Sequence, residues 1–235
     1  MIKHLLYLII GAGLTACSSV NTISVKSESI GVTSEYDEVN KVDSIVMPYR
    51  DQLESEMLEV IAVAENDFTR GRPNGVLNNW SADAILNAVS QSHFKEKPYF
   101  CLLNFGGLRN PFSQGDIVLG DVYKLMPFDN EIVIVELPYS KLDKIANYLI
   151  ASGGEPISNA ILDVDRISIA GDSGLEDSFF VVTSDYLMNG GDNMIFFQDQ
   201  LNVIYTGILM RDAMIDQVKK QKSLIFNDDE RIILE

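Results

Sequence analysis

Three loops concentrate the side chains that a small polar ligand needs. The first is Asn104-Phe105-Gly106-Gly107-Leu108-Arg109, directly after the apolar run Tyr99-Phe100-Cys101-Leu102-Leu103. Paired glycines let bare backbone approach a ligand closely. Arg109 offers a rigid fork of donors suited to phosphate or carboxylate. Asn104 both donates and accepts, as the edge of a heterocyclic base requires. A tight turn carrying a surface arginine has the same composition. The second loop, Tyr186-Leu187-Met188-Asn189-Gly190-Gly191-Asp192-Asn193, follows the apolar stretch 179–184. Its carboxylate, Asp192, can accept two hydrogen bonds from a vicinal diol, although Gly-Asp-Asn is also ordinary hairpin chemistry. The third, Leu125-Met126-Pro127-Phe128-Asp129-Asn130, carries Phe128 either as a lid over the core or as a platform for a planar ring. Arg70-Gly71-Arg72 adds two cations, either to neutralise a phosphate beside Arg109 or to form a solvated turn.

The elements that must hold these loops follow from periodicity. Tyr49, Leu53 and Met57 recur at helical spacing and predict a helix over 47–59, passing into a strand at 60–64. Leu77, Trp80, Ala84, Ile85 and Ala88 share one face of a helix over 77–89. Residues 99–103 read as a buried strand, 115–125 as a turn and short helix, and 132–137 as a strand. Pro138 opens a helix whose stripe is Leu142, Ile145, Ala146 and Leu149, and Gly153-Gly154 stop it. Strands are expected at 166–170, 179–184 and 194–197, and a last helix at 208–222. Strands and helices without strict alternation of the two favour one α+β domain over 46–235.

The N-terminus reads as an address. Lys3 precedes the apolar run 5–16, which is too short to span a bilayer. Leu14-Thr15-Ala16-Cys17-Ser18-Ser19 looks like a bacterial lipobox, with 1–16 removed and Cys17 lipidated. Two or three acyl chains would hold the protein on a membrane, since each buried CH2 contributes roughly 0.8 kcal/mol. Ser18 after the cysteine resembles outer-membrane signals, so the expected place is the cell envelope. Residues 17–45, rich in Ser, Thr, Val and acids, are expected to be a polar tether.

Composition removes several classes. At 46% hydrophobic and 22% charged residues the 235-residue chain is a folding one rather than a disordered one. A net charge of -16 argues against a nucleic-acid partner, which needs a basic footprint. Cys101, within its apolar run, is expected to be buried and inert. Beyond the leader the one histidine is His93, and no Asp-x-His spacing occurs, so no metal site is expected within this chain.

Taken together and in this order, the loops resemble the C-terminal domain of 5'-nucleotidases. The resemblance rests on Asn104 through Arg109, Gly115-Asp116-Ile117 leading to Phe128-Asp129-Asn130, and Tyr186 through Asp192, with residues 78–84 resembling the helix after the family's first arginine loop. It implies a four-layer α/β/β/α sandwich. It also implies a substrate-binding set of Arg70 or Arg72, Asn104, Gly106, Gly107, Arg109, Phe128, Tyr186, Gly190, Gly191 and Asp192. Asn104 would contact the base, Phe128 and Tyr186 would sandwich it, Asp192 would hold the ribose hydroxyls, and Arg109 would bind phosphate or ribose oxygen. Tyr186 stands where phenylalanine is common, and Asn193 where glycine is usual. In the family a metallophosphatase domain supplies two divalent metals. Here that domain is expected on a separate chain, so this chain would need no cofactor and is not expected to hydrolyse nucleotides alone. The alternative is an envelope lipoprotein that binds nucleotides or nucleosides without turnover.

Overall fold

The computed structural model describes residues 27–29, 31, 40–89, 93–94 and 97–235. The expected leader, Cys17 and most of the expected tether lie outside them. The chain divides into two units, 1–46 and 47–235, and the second contains every loop singled out above.

A five-stranded sheet forms its centre. In chain order its strands are β2 (Tyr99–Leu102), β4 (Glu131–Pro138), β5 (Ile157–Ser158), β8 (Ser178–Ser184) and β9 (Asn202–Leu209), and in space the order is β5-β2-β8-β4-β9. The middle strand β8 is buried at every position. Successive side chains on a strand face opposite ways, so the sheet feeds two cores. Phe180, Val182, Cys101, Ile132 and Ile134 belong to one, and Phe179, Val181, Phe100, Val133 and Val135 to the other.

The first core is closed by helices α2 (Val76–Ala88), α3 (Leu119–Leu125) and α6 (Met210–Gln221), together with the antiparallel pair β1 (Val60–Ala64) and β3 (Gly115–Val118). The second is closed by α4 (Leu142–Ser152) and by a small sheet of β6 (Ala160–Asp163), β7 (Arg166–Ile169) and β10 (Ile232–Ile233). Helices, large sheet, small sheet and helix make up the α+β sandwich expected from the sequence. Cys101 is fully buried, and burial pushes its thiol well above its ordinary pKa.

Several elements differ from the sequence expectation. Helix α1 runs Asn40–Met57, starting earlier than residue 47 and holding Pro48 inside it. Proline is costly inside a helix, which is why the pattern alone places the start beside it. Residues 115–125 divide into β3 and α3 instead of a turn and a helix. Ile195–Phe197 form a single 3-10 turn rather than a strand, with Phe196 and Phe197 packed into the second core. Ile208 and Leu209 end strand β9, so the last helix begins at Met210.

The topology explains where the loops meet. Strands β2 and β8 are parallel neighbours, with Cys101 opposite Val182, so both end at the same edge of the sheet. Strand β4 runs antiparallel to β8, with Ile132 opposite Ser184, so its beginning lies at that edge too. The segments after β2, after β8 and before β4 are the three ligand-like loops.

Candidate functional site

At this edge of the sheet lies a cleft of about 310 Å3 lined by Asn104, Gly106, Gly107, Arg109, Phe128, Tyr186 and Asp192. Each loop contributes. After β2 the chain turns through Phe105–Gly107 as a 3-10 turn, and the Arg109 N–H donates to the Leu125 carbonyl at 2.8 Å. After β8 the short helix α5 (Asp185–Met188) is capped by Ser184, whose hydroxyl oxygen accepts from the Leu187 N–H. Phe128 and Tyr186 are both exposed rings on the same cleft.

Asp192 is the hub. One carboxylate oxygen accepts from the Asn104 side-chain amide at 2.7 Å, and the other accepts from the Tyr186 hydroxyl at 2.8 Å. The hydrogen bond to Asp192 raises the Tyr186 phenol pKa. The Tyr148 hydroxyl of α4 donates to the Asp192 carbonyl at 2.9 Å, and burial, with nearby acids, pushes the Tyr148 phenol up to about 12. Arg109 makes one long contact, 3.3 Å to the Gly106 carbonyl, so its fork faces the cleft largely uncommitted.

The glycine pairs serve close approach. A Cβ on Gly107 would lie 2.6 Å from the Asn104 side-chain oxygen. One on Gly191 would lie 2.4 Å from a Tyr186 ring carbon, so that ring is seated on bare backbone. Gly190 takes a positive φ of 91° and turns the chain towards Asp192 without itself lining the cleft.

Residues 60–147 match the family model described as 5'-nucleotidase, C-terminal domain. Over these residues the chain matches the 5'-nucleotidase C-terminal domain. Endonuclease YhcR of Bacillus subtilis (strain 168) is 31% identical over 107 residues, 44% of this chain and 8% of its own length. The 5'-nucleotidase of Vibrio cholerae serotype O1 is 22% identical over 217 residues, 87% of this chain and 39% of that protein. The solved 5'-nucleotidase precursor from Thermus thermophilus superposes with a TM-score of 0.67 at 22% identity, over 82% of this chain and 43% of that one. The chain therefore spans less than half the length of each of these relatives.

Arg70 and Arg72, within the matched segment, do not line the cleft. Their guanidinium carbons lie 4.8 and 4.6 Å from the centre of the Phe105 ring. Arg70 donates to the Leu108 carbonyl at 2.6 Å, and Arg72 donates to the Ser152 carbonyl and pairs with Glu155 at 2.8 Å. They brace the loop that carries Asn104 and Arg109 without lining the cleft.

Three positioning residues of the domain escaped the sequence reading. Glu155 is buried and accepts from the Phe105 N–H at 2.5 Å. Asp185 ties two loops together, its carboxylate accepting from the Tyr186 N–H at 2.8 Å, the Asn130 amide at 2.9 Å and the Glu131 N–H at 3.2 Å. Arg211 pairs with Asp129 and donates to the Phe128 carbonyl at 3.4 Å. An acid at the start of a helix and an arginine in an amphipathic one carry no signal of their own. A buried carboxylate after Gly153-Gly154 has the composition of a loop.

The metal centre that the family implies does not fit these residues. The cleft holds one carboxylate, already shared by two donors, and no histidine. Among the described residues no group of three or more His, Cys, Asp or Glu could hold a metal ion.

Proposed function

We propose that this domain recognises the nucleotide for 5'-nucleotidase-type phosphoester hydrolysis in the cell envelope, with the metal-dependent catalytic domain on a separate chain. The observation that carries this reading is the convergence of Asn104, Arg109, Phe128, Tyr186 and Asp192 on one cleft. Two rings suit a flat base, a carboxylate suits a diol, and a free guanidinium suits a phosphate. Asn104 reaches the base edge with its carboxamide oxygen while its amide holds Asp192. Nucleotide-cleaving names among the relatives support the substrate class. Lipid on Cys17 would keep the domain on the membrane beside its catalytic partner. Among the described residues no helix is long and apolar enough to cross a membrane.

The test is calorimetric titration of the full chain with AMP and adenosine, followed by phosphate release from AMP with and without a metallophosphatase domain. Saturable binding with release only in the mixture supports the reading. Phosphate release by the chain alone refutes the division of labour, and absence of binding at millimolar ligand refutes the site. Binding that no phosphatase domain turns into hydrolysis favours capture without turnover. Cys17→Ser should move the protein from the membrane fraction to the soluble one.

A further inference from the structure

We propose that the Tyr186 hydroxyl makes this cleft selective for ligands presenting a vicinal cis-diol. The inference deepens the nucleotide reading above and rests on it.

A carboxylate with two oxygens offers about four acceptor positions. In Asp192 two are taken, one on each oxygen, by donors from two different loops: Tyr186 on one and Asn104 on the other. The remaining positions are one per oxygen. A diol fills both with adjacent hydroxyls, whereas a single hydroxyl fills one and leaves the other to water.

The carboxylate is held for this purpose at three levels. Its backbone sits at φ 50° and ψ 30°, a left-handed conformation uncommon outside glycine, although aspartate tolerates it better than most residues. That conformation is fastened by the Tyr148 hydroxyl on the Asp192 carbonyl. Its side chain is fixed at both oxygens. The Tyr186 ring that delivers one of these donors is seated against Gly191, where any Cβ would collide with ring carbons at 2.4–2.7 Å. One residue therefore provides the stacking face and also orients the diol acceptor. Removing the hydroxyl leaves the ring and its seat, but frees one carboxylate oxygen to turn. Orientation then has to be supplied on binding, which weakens two-point recognition more than one-point recognition.

Binding of AMP and 2'-deoxy-AMP to the full-length wild type, Tyr186→Phe, Phe128→Ala and Asp192→Ala, measured by calorimetry, tests this. The wild type should prefer AMP. Tyr186→Phe should weaken AMP roughly three- to tenfold, the net size of one ordinary hydrogen bond, and 2'-deoxy-AMP less than about twofold. Phe128→Ala should weaken both ligands alike, and Asp192→Ala should abolish the preference. Tyr186→Phe weakening both ligands equally, or neither, overturns the proposal, as does a wild type that binds the two equally. A wild type that binds neither ligand overturns the nucleotide reading itself.

Discussion

Two clusters of arginine, aromatic ring and acid meet at the loop after β2, and they are finished differently. In one, Arg70 and Arg72 lie over the Phe105 ring, and the Arg72 charge is matched by Glu155, which is only 4% exposed. In the other, Arg109, Phe128, Tyr186 and Asp192 surround open space. In the first, the buried Glu155 carboxylate is spent on the Arg72 guanidinium and the Phe105 N–H, while the exposed Arg70 donates to the Leu108 carbonyl, so the acid of this cluster has little left to offer a ligand. The second keeps acceptor positions on Asp192 and nearly the whole Arg109 fork in reserve. What separates a brace from a binding site is thus not residue type but how much hydrogen-bonding capacity the fold leaves unspent on the acid: Glu155 is buried and engaged, Asp192 exposed with acceptor positions left. The contrast predicts that substitutions in the brace change stability, and those in the cleft change ligand binding.

The largest effect is expected in the brace. Glu155→Ala should lower unfolding free energy by about 2–3 kcal/mol, because it strips the acceptor from the Phe105 N–H and the partner from Arg72. Urea denaturation measures this directly. A loss below about 0.5 kcal/mol, the usual size for surface changes, would mean that the brace is no more structural than the cleft.

Next come the rings and the carboxylate of the cleft. Phe128→Ala and Asp192→Ala should each weaken nucleotide binding by about 1–3 kcal/mol, the range for lost stacking or a lost charged hydrogen bond. Their urea midpoints should stay close to that of the wild type, since both side chains are exposed. A large fall in stability without loss of binding would reverse the roles of the two clusters.

Asp185 tests whether a residue can belong to both categories. It touches no cleft space, yet it joins the Phe128 loop to the start of the Tyr186 helix. Asp185→Ala should cost about 1–2 kcal/mol of stability and also weaken AMP binding, with Asp185→Asn recovering part of both. Arg109→Ala against Arg70→Ala sharpens the same point. The former should weaken AMP more than adenosine, and the latter should weaken neither selectively.

How much of this was legible in the sequence follows the range of each interaction. Glycine pairs after apolar runs mark two of the three cleft loops, because turn chemistry is local. The convergence of the loops depends on β2 and β8 being parallel neighbours with β4 reversed between β8 and β9, and no local pattern encodes pairing partners. Strands β5 and β10, of two residues each, are too short to show alternation. The apolar run Ile208-Leu209-Met210 crosses from a strand into a helix without punctuation, so periodicity assigns it all to the helix. Arg72 reads as a free cation because its neutralising partner, Glu155, lies 83 residues away along the chain, and Arg70 because its contacts are a distant carbonyl and ring, those of Leu108 and Phe105.

The smallest effect distinguishes two reasons why the brace is closed. Burial, the largest influence, raises the Glu155 carboxyl above its ordinary value of 4.5, against the pull of the Phe105 N–H and the Arg72 guanidinium. A carboxyl raised on folding holds its proton more tightly in the folded state. Its contribution is therefore complete below the unfolded value and is lost as pH rises through the folded one. Glu155→Gln keeps an acceptor for the Phe105 N–H but cannot titrate. The stability of the wild type relative to this variant should accordingly decline as pH rises from the ordinary value of 4.5 through the raised folded one, read from urea midpoints at each pH. If the advantage instead grows with pH, attraction between Arg72 and the carboxylate outweighs desolvation, and the brace is an ion pair first and a buried contact second.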